Sequence, residues 1–491
     1  MTPGAGPQKP FSSSWISKIL PFLIVTGASV LMALSARGDL WHDEAWSILF
    51  AESARTPLAL FFFKHDNNHL LNTLFLYLAG NQTHFIVYRL LSILSGIGSF
   101  LLLGHIARKL WGNLDAILAL VLCGSSFQLI LMFSEARGYA PAIFFSLVAF
   151  ACLLHVGDPL KTLTLLLFWA ACVLGILAHA TFVIIFFAML SYSPALLSVA
   201  HKRGQKHYTQ PIRLFFIYGP PVIFMAVLYL WFFSPMVFGG GPEVSKTQNI
   251  LQGLSLPFGH IWKPGVAVFT GIVTVLIMGA GCFLLFRQQN RLWSFFVTAL
   301  IVAPTMIAGI TRPSYFSPRY LTICLPFFYL LTARLLSTLV TSGKWKKWMA
   351  IVLLALFIAG NAQPMVSLLL NGRGHYKAAL ETIMEHSDGD KAVISGDDYY
   401  SIMRLVLFYR RFLPSSPEIQ YVKPSEWEQQ QPDWIITFSW RPEKQPPPLI
   451  IMPHIGSYRL FDEYRYSGYG SGWHWFLYQK APSKGQPVPA G

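Results

Sequence analysis

The sequence predicts a polytopic α-helical membrane protein with a C-terminal extracytoplasmic α/β domain, and three observations support this fold class. Hydrophobic residues make up 54% of the 491 residues and charged residues only 12%, whereas about a quarter of a soluble domain is charged. Apolar stretches of about 20 residues, the length that a bilayer requires, recur along most of the chain. These stretches end near residue 370, and charges, prolines and aromatic residues follow.

The apolar stretches predict about eleven transmembrane helices, since each is close to the ~20 residues that cross a bilayer. The predicted cores are Ile19–Leu34, Phe85–Ile106, Ala116–Phe133, Tyr139–His155, Thr162–Leu177, Thr181–Leu197, Leu214–Phe233, Val266–Phe286, Leu292–Ile310, Tyr320–Leu339 and Trp348–Leu370. Lysines and arginines collect in alternate loops, which the positive-inside rule assigns to the cytoplasm. The N-terminus is then cytoplasmic, and an odd number of spans places the tail outside.

Two domains follow from this pattern. Residues 1–370 form the transmembrane core, and amphipathic segments within 41–82 suit helices in the membrane interface. Residues 371–491 form a soluble α/β domain, for which we predict strands near Lys391–Gly396 and Trp434–Ser439. The proline-rich stretch Pro414–Pro424 is predicted to be a loop of this domain.

The charge and the cysteines exclude two other classes. A net charge of +15 is typical of nucleic-acid binding, but here the basic residues lie in short loops between apolar runs, so we expect no nucleic-acid partner. All five cysteines lie inside apolar stretches, and we therefore expect no structural disulfide.

The first predicted outward loop concentrates polar residues beside aromatic ones. Asp43 and Glu44 lie between two tryptophans, and Lys64, His65 and His69 follow later in the loop. A carboxylate at the level of the lipid headgroups is suitably placed to act as a general base on an acceptor hydroxyl. An acidic pair at this position also suits the first turn of an interfacial helix, where it would only cap the helix.

The other predicted outward loops add arginines, tyrosines and a histidine. A forked guanidinium binds phosphate well, although an arginine at a membrane interface also serves as an anchor that reaches the headgroups. The histidine suits either a metal site or a structural hydrogen bond. The candidate residues in these loops are Glu135, Arg137, Tyr139, His179, Arg319 and Tyr320.

The order of these motifs resembles the GT-C superfamily of glycosyltransferases, and it is closest to the protein O-mannosyltransferase and lipid A aminoarabinose-transferase branch. The resemblance extends from the acidic pair Asp43-Glu44, through Glu135-Ala136-Arg137-Gly138-Tyr139, to Pro318-Arg319-Tyr320-Leu321 and Leu325-Pro326. It implies an inverting hexosyl- or pentosyltransferase that moves a sugar from a polyprenyl-phosphate carrier to a hydroxyl of a lipid, glycan or protein acceptor.

The resemblance also implies roles for the candidate residues. Asp43 would be the general base, and Arg137 and Arg319 would neutralise the leaving phosphate, assisted by Lys64. Glu44, Glu135, Tyr139 and Tyr320 would complete the substrate site, and His65, His69 and His179, together with Glu44, would hold a divalent metal as in some relatives. The run Asp66-Asn67-Asn68-His69 replaces the usual His-Pro-Pro, which puts the metal in question.

Two other functions fit a chain of this composition. A secondary transporter or flippase of a lipid-linked or soluble solute should carry charges near the middle of its spans, whereas the ionisable residues here gather at one predicted face. A membrane-anchored assembly protein would leave the acidic and arginine loops without a role. The branch suggests a bacterial inner (plasma) membrane and undecaprenyl phosphate as carrier, and the sugar and the acceptor stay open.

Overall fold

The structure is a computed structural model of the chain and describes residues 15–155, 161–202, 209–239, 245–259, 263–310, 316–441, 444–452 and 454–481. Most of the described residues are helical, and a small mixed sheet lies in the C-terminal part. The α-helices are α1 Trp15–Ser35, α2 His42–Ser53, α3 Leu70–Ala79, α4 Phe85–Tyr88, α5 Leu90–Trp111, α6 Asn113–Gly124, α7 Phe127–Phe133, α8 Tyr139–Leu154, α9 Thr162–Ala178, α10 Phe182–Lys202, α11 Thr209–Leu228, α12 Lys246–Ser255, α13 Pro264–Arg287, α14 Leu292–Val297, α15 Ala303–Ile310, α16 Leu325–Thr341, α17 Lys344–Asn371, α18 Tyr376–Glu385 and α19 Tyr399–Tyr409.

The chain is a multi-pass membrane protein. Within the described ranges, six helices are long and apolar enough to cross a membrane, and the number is seven if one bent pair counts as a span. Shorter apolar helices such as Tyr139–Leu154 and Thr162–Ala178 fall below that length. The polytopic α-helical fold class is therefore confirmed, and the number of eleven spans and the extracytoplasmic side of the tail stay predictions.

The predicted span Ala116–Phe133 is bent, because α6 and α7 meet at an angle of 69°. At the bend, the backbone N–H of Phe127 donates to Oδ1 of Asn361 at 2.8 Å, and the Asn361 amide donates to the carbonyl of Pro257 at 2.9 Å. A broken helix at membrane depth requires such substitutes for its lost backbone hydrogen bonds. Asn361 thus accounts for a bend that apolar periodicity does not reveal.

The chain divides into two compact units. The first comprises residues 1–33, 91–133 and 138–362, and the second comprises residues 34–90, 134–137 and 363–491. The second unit therefore joins the long first loop and a four-residue loop to the C-terminal segment. Its core contains Trp41 and Ile48 from the region of α2 together with Tyr409, Trp434 and Trp475 from the tail. The predicted domain boundary after residue 370 stays a prediction.

The C-terminal segment builds a six-stranded mixed sheet in the order β2-β1-β3-β6-β5-β4. Strand β1 pairs in parallel with β2 and β3, and the remaining pairs are antiparallel. The strands are β1 Lys391–Gly396, β2 Glu418–Tyr421, β3 Trp434–Ser439, β4 Leu449–Met452, β5 Gly456–Tyr464 and β6 His474–Lys480. The prediction that Pro414–Pro424 is entirely loop was wrong, because β2 lies inside it as the edge strand beside β1, a position that tolerates nearby prolines.

A buried histidine in β6 is expected to make the stability of this unit depend on pH. His474 is 2% exposed, and its Nδ1 accepts a hydrogen bond from the Tyr466 backbone N–H at 3.2 Å. Burial, with a smaller contribution from Arg465, lowers the pKa of His474 from 6.5 to about 4. Between about pH 6.5 and pH 4, His474 is therefore protonated in the unfolded chain but neutral in the folded chain. The stabilising contribution of neutral His474 is complete above about pH 6.5 and decreases as the pH falls towards about 4.

We expect the full-length protein to lose about 2 kcal/mol of stability between pH 7.5 and pH 5 through His474. His474→Gln should remove most of this loss, measured as the change in thermal unfolding midpoint between the two pH values. His454, whose side chain is 71% exposed, supplies the control, because His454→Gln should leave the pH dependence unchanged. An equal pH dependence in His474→Gln and in the unmodified protein would contradict this assignment.

Candidate active site

The acidic pair of the first loop lies in the first turn of α2, where carboxylates are favoured by the helix dipole. Glu44 reaches back to the start of the helix, because its Oε2 accepts a hydrogen bond from the Trp41 backbone N–H at 3.2 Å. Glu44 therefore caps the helix, as the structural alternative predicted for the pair. Asp43 points to different partners.

Glu44 forms a fully buried ion pair with Arg89. The Arg89 Nη2 lies 2.6 Å from Glu44 Oε2, and its Nε lies 2.8 Å from Oε1. Both side chains are 0% exposed. Arg89 also donates to the backbone carbonyls of Ala36, Gly38 and Asp39, so the guanidinium is surrounded by acceptors.

The charge state of Glu44 follows from this geometry. Burial by itself would raise the pKa of Glu44, but the adjacent Arg89 guanidinium reverses the effect and holds that pKa below its ordinary value of 4.5. Arg89 was not predicted as a site residue, because it lies inside the predicted span Phe85–Ile106. The helix breaks at this residue, and α5 begins at Leu90, so the start predicted for that span was wrong.

The loop Ser134–Arg137 is held at every residue. Ser134 Oγ accepts from Arg373 at 2.9 Å, and Arg373 Nε lies 3.5 Å from Glu135 Oε1. The Ala136 backbone N–H donates to Glu44 Oε1 at 2.7 Å, and its carbonyl accepts from Asn72 Nδ2 at 2.8 Å. Side chains from three segments of the chain therefore contact this loop, and those of Glu44 and Asn72 bind its backbone.

Glu44, Arg89, Glu135 and Arg373 form what we call the buried ionic cluster, two carboxylates and two guanidiniums that are each at most 1% exposed. Burial raises the pKa of Glu135, an effect that Arg373 opposes and the charge of Glu44 reinforces. Burial lowers the pKa of Arg373, and the like charge of Arg89 lowers it further. Arg373 follows the last predicted span, and sequence analysis did not select it.

Asp43 is the carboxylate of the acidic pair that keeps contact with solvent, since its side chain is 19% exposed. Its Oδ2 forms an ion pair with Arg137 Nη1. The other nitrogen of that fork, Nη2, donates to Asn67 Oδ1 at 3.1 Å and lies 3.0 Å from His69 Nε2. The structure thus brings the predicted residues Asp43, Arg137 and His69 together.

His42 is a further neighbour of Asp43 that sequence analysis did not select. Its Nδ1 lies 3.1 Å from Asp43 Oδ1, and its ring stacks on Trp473 with 4.8 Å between the ring centroids. Arg404 lies 3.6 Å above the ring of Trp46. Trp473 and Arg404 come from the C-terminal segment, so this segment supports the helix that carries Asp43. The tail matched no motif, which is why neither residue was predicted.

The remaining predicted residues of the first loop lie between the short 3₁₀ helix Pro57–Phe62 and α3. His65 Nδ1 is 2.8 Å from Asp66 Oδ1 and receives the Asn67 backbone N–H at 3.2 Å. Lys64 directly precedes this turn.

A second set of predicted residues meets within the first unit. The rings of Tyr139 and His179 are 4.2 Å apart, and those of His179 and Tyr320 are 5.9 Å apart. Thr181 Oγ1 lies 2.9 Å from His179 Nδ1. Arg319 precedes Tyr320 in the 3₁₀ helix Pro318–Cys324.

The three histidines proposed as metal ligands have other neighbours. His69 Nε2 faces the guanidinium of Arg137, and a cation at that distance disfavours a metal ion on the same nitrogen. His65 and His179 each use Nδ1 in a local turn. In the described ranges, no group of three or more histidine, cysteine or acidic side chains is placed to hold a metal ion. The donor set does not fit a metal site, and the need for a divalent metal stays a prediction.

The fold and this set of charges define a multi-pass membrane protein with a mixed-sheet domain and a carboxylate-arginine site. No protein-family model matches the sequence, and no curated protein does. Solved structures do match the chain, among them two with TM-scores above 0.5. They are ArnT from Cupriavidus metallidurans bound to undecaprenyl phosphate (TM-score 0.51, 12% identity, 97% of this chain and 100% of that chain) and the same protein in the apo state (0.52, 14%, 96% and 100%).

The predicted resemblance is therefore confirmed at the level of the fold. The archaeal oligosaccharyltransferase AglB from Archaeoglobus fulgidus matches at 11% identity, over 86% of this chain and 70% of that chain, with a TM-score of 0.42. At these sequence identities the similarity is a similarity of fold.

Proposed function

We propose that the protein is an integral-membrane inverting glycosyltransferase that moves a sugar from a polyprenyl-phosphate carrier to an acceptor hydroxyl. The observation that carries the proposal is the pairing of a solvent-reaching carboxylate, Asp43, with Arg137 on a loop whose every residue is held in place. The chain also shares its fold with an ArnT that was crystallised with undecaprenyl phosphate.

In this mechanism Asp43 removes the proton from the acceptor hydroxyl. The acceptor oxygen attacks the anomeric carbon, the bond from that carbon to the phosphate oxygen breaks, and the anomeric configuration inverts. A base must lie within hydrogen-bond distance of the proton it removes, and the 19% exposure of Asp43 leaves room for a hydroxyl. His42 and Arg137 hold the two carboxylate oxygens in place.

The leaving group is the polyprenyl phosphate, whose developing charge needs cations that are already in position. Arg137 is one such cation, and the fixed loop around it prevents reorganisation during the reaction. We assign Arg319 and Lys64 to the same role, and Glu44, Glu135, Tyr139 and Tyr320 to the surroundings of the substrate. Glu44 and Glu135 act through the loop that carries Arg137, so we regard both as positioning residues.

The cellular setting of the proposal is the bacterial inner membrane. Residues 1–370 form the transmembrane catalytic core, and the active site and residues 371–491 face the extracytoplasmic side, as the alternation of basic loops indicates. The donor is undecaprenyl phosphate linked to a hexose or pentose, and the acceptor is a lipid, a glycan or a protein.

The test uses the purified full-length protein in detergent with radiolabelled polyprenyl-phosphate sugars and a membrane extract as acceptor. We expect label in the acceptor fraction and an equal amount of free polyprenyl phosphate, with no transfer from the corresponding nucleotide sugars. The absence of transfer from every donor, together with accumulation of labelled solute in proteoliposomes, would contradict the proposal and favour a secondary transporter.

A further inference from the structure

A lateral cavity of about 740 Å³ lies between α1, α5 and α6, and all the residues that line it belong to the first unit. Its volume falls in the range of about 300–1,000 Å³ that ligand sites occupy. None of its lining residues belongs to the candidate active site. We call this cavity the α1–α5 groove.

The groove is about as long as one leaflet of a bilayer. Along α5 its lining extends from Ile97 to Arg108, a distance of eleven helical steps that rise roughly 17 Å at ~1.5 Å each. The hydrocarbon core of a bilayer is ~30 Å thick, so half of it is ~15 Å. The groove therefore matches the depth of one acyl layer, measured from one face of the membrane.

The walls of the groove are apolar and its end is cationic. Phe22, Phe100 and Leu120 are among the wall residues, and the hydroxyl of Ser29 is already bonded to the Val25 carbonyl at 2.8 Å. The wall thus favours hydrocarbon. The last turns of α5 contribute Arg108 together with His105, and Asn113 from the start of α6 joins them.

We propose that the α1–α5 groove binds an acidic phospholipid, with one acyl chain along the apolar wall and the phosphate against Arg108. The charge of the groove selects this occupant. Basic pockets between transmembrane helices bind anionic headgroups, and each lysine or arginine near an anionic leaflet contributes about 1 kcal/mol. A zwitterionic lipid would offer the same chains without the net charge that Arg108 attracts.

The proposal is independent of the catalytic activity, and lipid binding tests it directly. The probes are dioleoylphosphatidylglycerol and dioleoylphosphatidylcholine, added to the full-length protein in detergent, with bound lipid counted by native mass spectrometry. We expect the acidic lipid to bind more tightly than the zwitterionic one. Arg108→Gln should weaken its binding roughly fivefold, as expected for the loss of one such cation.

Two matched pairs of variants distinguish lipid binding in the groove from general effects of a lost charge or an added aromatic side chain. Lys109→Gln removes the neighbouring charge, which does not line the groove, and should keep the preference. Ser29→Phe fills the groove and should abolish the preference, while Leu94→Phe on the exposed side of α5 (64% exposed) should not.

Three results would overturn the proposal. The first is equal binding of the two lipids, and the second is equal weakening by Arg108→Gln and Lys109→Gln. The third is a dimer of the unmodified protein that Ser29→Phe converts to monomer, because a second copy would then be the occupant of the groove.

Discussion

Replacing Asp43 with asparagine is expected to lower the rate of sugar transfer by roughly 10²–10⁴-fold, the usual contribution of a general base. Asparagine has the shape of aspartate but cannot accept the acceptor proton. Arg137 keeps its bonds to Asn67 and His69 in this variant, so the phosphate site should stay in place. The effect should therefore appear in kcat, with the affinity for the polyprenyl-phosphate donor little changed.

Asp66→Asn is the control for this substitution, because Asp66 is a carboxylate of the same loop that pairs with His65 at 2.8 Å and is 26% exposed. We expect Asp66→Asn to retain most of the activity. Transfer assays at saturating donor, with the unfolding midpoint measured in parallel, compare the two variants. Activity that survives in a folded Asp43→Asn protein would assign the base to another residue.

Glu44→Gln is expected to destabilise the protein by about 3–5 kcal/mol, because breaking a buried ion pair leaves the other charge without compensation. The remaining Arg89 side chain is 0% exposed, so its guanidinium is out of contact with solvent. The double variant Glu44→Gln/Arg89→Met removes both charges and should recover part of the lost stability. Chemical unfolding of the full-length protein in detergent measures the stability of both variants.

An exposed pair in the same unit provides the comparison. Arg411 Nη1 lies 2.6 Å from Glu52 Oε1, but the two side chains are 24% and 29% exposed. Glu52→Gln should therefore cost no more than about 1 kcal/mol. If Glu44→Gln and Glu52→Gln destabilise the protein equally, burial does not set the strength of the Glu44–Arg89 pair.

The membrane fold was predictable because charge depletion and 20-residue apolar runs are local properties of the sequence. Asp43, Glu44 and Arg137 were predictable as a group because their order and predicted side resembled a known pattern, and the structure does bring them together. The cap formed by Glu44 was also foreseen, as the structural alternative to a substrate-binding role.

Arg89 and Arg373 were not predictable, because their signal is not local. An arginine at the edge of an apolar run has the same appearance whether it anchors a helix in the headgroups or enters a buried ion pair. The partner of Arg89 is 45 residues away, and Ser134, which Arg373 binds, is 239 residues away. Strand β2 was not predicted because its signal is also not local. Only its pairing with β1 distinguishes it from a proline-rich loop.

The contacts of Arg373 with Ser134 and Glu135 determine when this site can form during biosynthesis. A ribosome that adds 5–20 residues per second reaches Arg373 roughly 10–50 s after Glu135. During that interval Glu135 and its loop have been translated, but the guanidinium that compensates their burial does not exist. The carboxylate site is therefore assembled late, after the last membrane helix is made.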